Sequence, residues 1–548
     1  MRHLFFVNYI QFNRMFKHSC LLKIQLKKIT KVMKKMKFRT QFKLIREGIN
    51  REKLFESIRI LKILTCFCFI YLNANRAFAN NLVIGTPTVV GGNLQFTIQW
   101  DNSWNTATGP TNYDAVWVFF KRQACALLSP WDHALLSTLS ANHSVTGGVL
   151  QVDAVSDGVG VFIRRSAPGS GNIASSLVTL NLQTAANLFD NFQVFGIEMV
   201  YIPTGDFIIG DGASQNTFNG ITISAATQAA GFALQTNYSS NQGSLGSPSL
   251  PPSYPQGYNA FYCMKYEISQ AQYVEHLNSL TNLQQTNRIL ISPSSLAGSW
   301  PIQPSAAANR NGIRLMTSAS PPNPAVFGCD LNVNGVYNEP ADGQNIACNW
   351  LAWQDLLTYL DWSGLRPMTE MEFEKVCRGP ITPAIANEYA WGVTAITQAQ
   401  SGSLLNAGQG TEVSTASGPG LCAYGGGGTG PLRCGFAAGA ATTRIQSGAA
   451  YYGVMDMSGN LFEQCVGGIS INYGTFNGLN GDGTITSTGL FNTANWPVAG
   501  GGQAGGILRG GGFNASLPEL RTSNRTYLTS NTNQSRLANA GGRGVRTP

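Results

Sequence analysis

Between residues 80 and 195 the apolar positions recur with period two. Leu94, Phe96, Ile98 and Trp100 alternate with polar neighbours, and the runs AVWVFFK, GVGVFIRR and SLVTLNL follow, separated by Gly, Asn and Ser clusters. Such alternation predicts short strands, and their spacing suits an antiparallel β-sandwich. From residue 196 the pattern changes. EMVYIPTGDFIIGDG predicts two short strands around a Pro-Thr-Gly turn, and the Gly-, Ser-, Asn- and Pro-rich stretch from Ala225 to Gly257 predicts a long surface loop. Ser269 and Gln272 form a capping box flanked by the staple pair Ile268 and Tyr273. With Tyr273, Leu277 and Leu280 as the buried stripe, a helix is expected to start at Ser269.

The most readable stretch is Asn349 to Gly379. Trp350, Trp353, Leu357 and Leu360 fall on one helical face, and Gly364 supplies the stop. Thr369 stands three residues before Glu372, a second capping box that opens a second helix. From Glu388 onward helical periodicity gives way to short strands and glycine-rich loops. The expected organisation is a targeting region over 1–79, an all-β sandwich over 80–195 and a loop-rich α+β domain over 196–548.

Composition sharpens this picture. The chain has 548 residues, and its 43% apolar content excludes wholesale disorder. The formal charge of +9 is uneven: residues 1–79 hold 18 Lys and Arg against 3 Asp and Glu, and residues 80–548 hold 19 against 25. With the head set aside the chain is mildly acidic, which excludes a phosphate-tracking nucleic-acid surface. The head carries Lys62, the apolar run Ile63 to Leu72 and Ala77-Phe78-Ala79, the layout of an export signal whose apolar core is too short to span a bilayer. Its length places the expected start downstream of Met1, near Met33 or Met36. Export to the periplasm, the outer membrane or the exterior follows as the expectation. The exported part keeps eight cysteines, and Cys329–Cys348 and Cys422–Cys434 are the expected bridges because each pair flanks one loop. Cys263 and Cys377 equally suit buried free thiols.

Two clusters offer metal chemistry. In DLNVNGVYNEPAD, Asp330, Asn332 and Asn334 alternate oxygen ligands, Gly335 allows a sharp turn, and the Val336 carbonyl, Asn338 and Asp342 complete a cage for a hard cation, calcium above all. The loop resembles those of EF-hands, dockerins and thrombospondin type-3 repeats, with its acid one residue late. In GVMDMSGNLFEQC, Asp456, Asn460 and Glu463 gather around Gly459, a pattern that also suits a plain turn. Glu370, Glu372 and Glu374 surround a helix start, where cap and dipole stabilisation account for them. Arg366, Arg378, Arg509 and Arg525 are expected to satisfy carboxylates and carbonyls inside the fold. His133 and His143 are isolated.

The order of MVYIPTGDFIIGD, KYEISQAQYVEHLN, the Asn349–Gly379 stretch, NEYAWG, GVMDMSGNLFE, LRGGGFN and GGRGVR resembles the formylglycine-generating enzyme (sulfatase-modifying factor) domain family over about residues 196–548. The resemblance implies a decorated variant of the C-type lectin fold. It also implies a structural calcium site at Asp456, Gly459, Leu461 and Glu463, from side-chain oxygens of the acids and carbonyls of the other two. Active members are copper-dependent oxidases that convert a substrate cysteine to formylglycine, holding Cu(I) through two thiolates in the C-terminal segment. Soft thiolates are what Cu(I) selects. This chain has no cysteine after Cys465, and residues such as Ala515 and Ser523 stand where sulfur is expected. Iron held by three histidines, as in some relatives, is excluded because His276 is the sole histidine beyond Ile197.

No catalytic residue is therefore assigned. The leading expectation is a non-catalytic, calcium-stabilised scaffold or binding protein of the cell envelope, by analogy with family members that serve secretion and gliding machinery in Bacteroidetes-type bacteria. One alternative is an oxidase with a displaced site built from two of Cys263, Cys377 and Cys465. Another is a glycan- or peptide-binding module using Trp496, Tyr451, Tyr452 and Tyr473.

Overall fold

The computed structural model describes residues 81–548, apart from 126–129, 188, 234–248, 305–307, 400, 427–428, 440–441, 468–474, 498–505 and 532–534. The targeting region expected over 1–79 and Tyr473 lie outside the described residues.

Two antiparallel sheets carry the first part of the chain. A five-stranded sheet is built on Asn93–Asn105 and Gly169–Leu180, edged by Val83–Ile84, Thr88–Val90 and Ser144–Val145. It faces a larger, eight-stranded sheet. That sheet runs in the spatial order Arg366–Pro367, Gly544–Arg546, Phe261–Met264, Asn191–Ile202, Asp114–Gln123, Val161–Arg165 and Leu150–Ala154, with Asp132–His133 paired to the Asp114–Gln123 strand.

The period-two pattern explains the layering. Leu94, Phe96, Ile98 and Trp100 are buried and meet Val116, Val118 and Phe120 in one core. Ala115, Trp117 and Phe119, which a pleated strand sends to the opposite face, join Tyr359, Leu360 and Trp362 of a helix in a second core. AVWVFF is a continuous apolar run because both of its faces are covered. The sandwich thus shares a sheet with the helix-bearing part.

The boundary expected between residues 195 and 196 falls inside the Asn191–Ile202 strand. One of its edges bonds Asp114–Gln123 and its other edge bonds Phe261–Met264. Gly196 sits at the closest approach, where a Cβ would lie 2.2 Å from Ile84 Cδ1. Further hydrogen bonds cross the same junction. Trp117 Nε1 donates to the Ser363 carbonyl at 2.8 Å, and Asn112 Nδ2 donates to the Tyr452 carbonyl at 2.7 Å.

The helices follow their caps. Ser269 caps Gln270–Asn278, and Tyr273, Leu277 and Leu280 are buried as the stripe requires. Thr369 caps Glu370–Arg378, the Thr369 hydroxyl accepting from Glu372 N and the Glu372 carboxylate accepting from Thr369 N. The preceding helix is shorter than expected, spanning Trp353–Trp362. Trp350 stays outside it with φ +62°, its N–H donating to the Leu537 carbonyl, so only Trp353, Leu357 and Leu360 share the helical face. Gly364, at φ +72°, ends the segment as expected. The stretch expected as a loop from Ala225 contains a short helix, Ala225–Ala230. Ser224 and Thr227 cap it reciprocally, and threonine in place of the usual Glu or Gln hides this box in the sequence pattern.

The cysteine expectation is corrected. Cys329, Cys348, Cys422 and Cys434 are free, buried thiols, as are Cys263, Cys377 and Cys465. Loop flanking had suggested the pairs, but these side chains are instead packed into apolar cores. Among the described residues no helix is long and apolar enough to cross a membrane.

Candidate functional site

The Glu370–Arg378 helix turns Glu370, Glu374 and Arg378 toward one side, since residues four apart share a helical face. Opposite them lie the Gly506–Arg509 strand and the Thr522–Arg525 turn, the segment where copper thiolates would be sought. Glu370 Oε2 accepts from Arg509 Nη1 at 3.0 Å and Arg525 Nε at 2.8 Å. Glu374 Oε1 accepts from Arg509 Nη2 at 3.0 Å and from Arg525 Nη2. Its other oxygen accepts from Arg378 Nη1 at 3.0 Å, Ser523 Oγ at 3.0 Å and Gly210 N at 2.8 Å. Arg378 also pairs with Glu388.

Burial alone would raise the Glu374 pKa. The guanidiniums of Arg525, Arg378 and Arg509 and the Gly210 N–H overcome it and hold the carboxyl well below its ordinary range. Glu374 stays ionised, and both Glu370 and Glu374 are engaged by guanidiniums. They are a charge-balanced packing unit, whereas Glu372 alone serves the cap and pairs with Arg366 at 2.6 Å. Helix position suggested the cap; the ion pairs of Glu370 and Glu374 were not visible in it.

The two positions where sulfur is expected are occupied structurally. Ala515 is buried in an apolar cluster with Phe462 and Leu520. Ser523 accepts from Arg378 Nη2 at 2.6 Å while donating to Glu374. Neither carries a soft ligand, so the residues present do not fit Cu(I). Cys263, Cys377 and Cys465 share that apolar cluster and are fully buried. Burial pushes the Cys263 thiol up to about 12 and raises Cys377 and Cys465 as well. A protonated, enclosed thiol is a poor metal ligand or nucleophile.

The second cluster surrounds Gly459. Asp456 and Asn460 hold positive φ, and Gly459, at φ +89°, leaves a Cβ only 2.6 Å from the Ala423 carbonyl oxygen. Asp456 Oδ2 accepts from Gly435 N at 2.6 Å. Glu463 Oε1 accepts from Arg543 Nε at 2.6 Å, while its Oε2 is buried without a hydrogen-bond partner. Glu267, which the sequence left unmarked, braces the loop by accepting from Leu461 N at 2.9 Å and Asn460 Nδ2 at 2.5 Å. Burial, followed by Asp456 and Glu463, raises the Glu267 pKa well above the carboxylate range. Burial likewise raises Asp456 and Glu463. Arg543 and Arg433 oppose that shift at Asp456, three carboxyl groups crowd one buried site, and Glu463 Oε2 is left without a hydrogen-bond partner. Crowded hard oxygens with one of them unpartnered fit a calcium ion, whose charge would favour their ionised form. Among the described residues no group of three or more His, Cys, Asp or Glu side chains is arranged to hold a metal. The set expected here draws two of its four ligands from backbone carbonyls.

The Asp330–Asp342 loop follows the strand Val326–Cys329. Asp330 pairs with Arg314 at 2.7 Å and accepts from Asn334 N and Gly335 N. Asn332 and Asn334 face the same turn, and Val336 donates its N–H to Asn334 Oδ1. Asn338 is turned away, its Oδ1 accepting from Cys329 N at 2.9 Å. Elsewhere, His276 is buried among Tyr273, Tyr359 and Trp362. Trp496 and Tyr452 are buried and Tyr451 is half-buried, so these three offer no open aromatic platform.

Comparison with known proteins places this geometry. The family model for the sulfatase-modifying factor enzyme 1-like domain matches residues 186–548. The solved structure of PvdO from Pseudomonas aeruginosa aligns at 15% identity, covering 64% of this chain and 95% of PvdO with a TM-score of 0.29. Treponema denticola variable protein 1 aligns at 13% identity, covering 65% of this chain and 96% of its own with a TM-score of 0.25. No curated protein sequence matches the chain. Through residues 186–548, the chain belongs to the sulfatase-modifying factor enzyme 1-like domain family.

Proposed function

We propose that this chain is a non-catalytic, calcium-stabilised scaffold or binding protein of the cell envelope. The observation that carries this reading is the occupation of the C-terminal segment. Ser523 is consumed by Arg378 and Glu374, Ala515 is packed in the core, and no cysteine follows Cys465. A copper oxidase of this family needs two accessible thiolates there. Here the same space is taken by six charged and polar groups that satisfy one another, which makes it a rigid structural element.

Calcium has a defined place in this reading. Asp456 and Glu463, with the carbonyls of Gly459 and Leu461, would hold it, and the ion's charge would favour the ionised form of the two acids. Glu267 keeps the Asn460–Leu461 backbone in position for it. The basic, apolar and small-residue succession before residue 80 supports export, and the mildly acidic remainder supports a protein or glycan partner over a nucleic acid.

The test uses the purified chain with Cu(I) and a cysteine-containing sulfatase peptide. Neither stoichiometric high-affinity copper nor formylglycine product is expected. Mass-spectrometric detection of the aldehyde in the peptide would overturn the reading in favour of an oxidase.

A further inference from the structure

The loop from Asp330 to Asp342 lies outside the motif stretches that carry the family resemblance and apart from the Gly459 cluster in sequence. The strands Ile313–Thr317 and Val326–Cys329 pair antiparallel and deliver Asp330 to the start of the loop, where its N–H donates to the Gly312 carbonyl at 2.8 Å. The carboxylate of Asp330 then gathers the chain around itself, accepting from Asn334 N at 3.0 Å and Gly335 N at 3.3 Å. Asn332 Oδ1 accepts from Asn334 N at 3.0 Å, and Asn334 Oδ1 from Val336 N at 2.7 Å. Val333 is held at φ +59°, a conformation that a β-branched residue rarely adopts, and Gly335 at φ +80°.

An independent observation points to a missing partner. Asp342 is fully buried and its Oδ2 accepts from Glu339 N at 2.8 Å, yet its Oδ1 has no hydrogen-bond partner. Asp330 and Glu339 lie near enough to repel it electrostatically. The Asn332 backbone N–H lies near this carboxylate, but no hydrogen bond completes Oδ1, and a buried oxygen left so beside other carboxylates is unfavourable unless a cation completes it.

Charge fixes the kind of cation. Asp330, Glu339 and Asp342 contribute three negative charges, and Arg314 alone opposes them at 2.7 Å from Asp330. Two negative charges remain, which a divalent ion balances. Arg314 is anchored from outside the loop, with Nε and Nη2 donating to the Gly298 carbonyl at 2.9 and 2.6 Å and its guanidinium over Trp300 at 4.5 Å. It therefore supports Asp330 without entering the turn. The ligand atoms on offer are carboxylate, amide and carbonyl oxygens in an irregular loop, with neither sulfur nor imidazole. That donor set selects calcium over zinc, and its irregularity disfavours magnesium.

We infer that this loop is a second calcium site, built from Asp330, Asn332, Asn334 and Asp342 with the Val336 carbonyl, separate from the one at Asp456 and Glu463. Asn338, spent on Cys329 N, is not a ligand, and Glu339 contributes charge at the rim while its Oε2 accepts from Asn334 Nδ2 at 2.6 Å.

Terbium, a luminescent calcium surrogate, tests the site in the full chain after chelation and dialysis. Trp300, stacked on the arginine that holds Asp330, is placed to sensitise it. Tryptophan excitation should give saturable terbium emission that calcium displaces. Asp342→Asn should weaken that binding at least tenfold, Trp300→Phe should dim it without changing calcium stoichiometry, and Asp456→Asn should leave it intact. Full emission in Asp342→Asn, or emission lost only in Asp456→Asn, would overturn the inference. Should the variants not fold, the unaltered chain decides: calcium that binds in equilibrium dialysis and displaces the tryptophan-sensitised terbium emission supports the site, whereas no bound calcium, or bound calcium that leaves the emission unchanged, overturns it. The inference does not rest on the proposed function, since a copper-active chain could carry the same loop.

Discussion

Glu374 Oε1 accepts a hydrogen bond from Arg509 Nη2 at 3.0 Å, although 135 residues of chain separate the two. Both side chains are fully buried, and Arg525 and Arg378 converge on the same carboxylate. Glu374→Gln keeps the shape and removes the charge, leaving three guanidiniums with less than their counter-charge. Breaking a buried pair from one side costs about 3–5 kcal/mol, and a denaturant midpoint lowered accordingly is the expected result. The folded-state pKa of Glu374 is depressed, so its stabilisation is fully present above the unfolded carboxyl value and is lost as pH falls through the folded one. The variant should lose stability less steeply with acid than the parent; parallel acid limbs would contradict this.

Lys121 and His133 give a second pH dependence, of known sign. Lys121 Nζ lies 3.1 Å from His133 Nδ1 and donates also to the Trp362 carbonyl at 2.7 Å, while His133 Nε2 donates to the Val159 carbonyl at 2.6 Å. Burial, then the Lys121 ammonium, holds the His133 pKa well below 6.5. The fold thus keeps a neutral imidazole, whereas the unfolded chain takes up a proton. Stability is present above the ordinary histidine range and declines as pH falls through it. In a proton NMR titration the His133 ring should stay neutral at pH values where a free imidazole is charged. A His133 midpoint at or above the free value would refute the arrangement.

Calcium at Asp456 and Glu463 should register as thermal stability. A ligand that binds only the folded chain adds about 2.7 kcal/mol at a hundredfold excess over its Kd. Chelation should lower the melting temperature, and Asp456→Asn should shrink that difference. If the parent melts identically with and without calcium, neither loop holds the ion.

Seven cysteines should behave as enclosed thiols. Cys263, Cys329, Cys348, Cys377, Cys422, Cys434 and Cys465 are buried and free. Iodoacetamide should spare them in the native chain and alkylate all seven in denaturant without reductant. Recovery of a Cys329–Cys348 or Cys422–Cys434 linked peptide would restore the bridges that loop flanking suggested.

Local chemistry was legible in the sequence. The caps at Ser269 and Thr369, the stripe of Tyr273, Leu277 and Leu280, and the alternation of Leu94 to Trp100 depend on neighbours within a few residues, so spacing alone exposes them. Trp350 shows where that ends. Periodicity assigned it to the helix, but its N–H is claimed by the Leu537 carbonyl. The motif order likewise revealed the family, because it records which local segments occur and in what sequence.

Amino-acid sequence by itself determined the strands, the capped helices, the family and the absence of sulfur after Cys465. Tertiary structure alone decided that AVWVFF is covered on both faces, that Glu370 and Glu374 neutralise Arg509 and Arg525, that Glu267 braces the Gly459 loop, and that Asn338 turns away while Asp342 is left with an unpartnered oxygen. The physical reason is range. Backbone geometry and caps are settled by residues within one turn, whereas burial and charge compensation depend on which distant side chains the fold brings into contact.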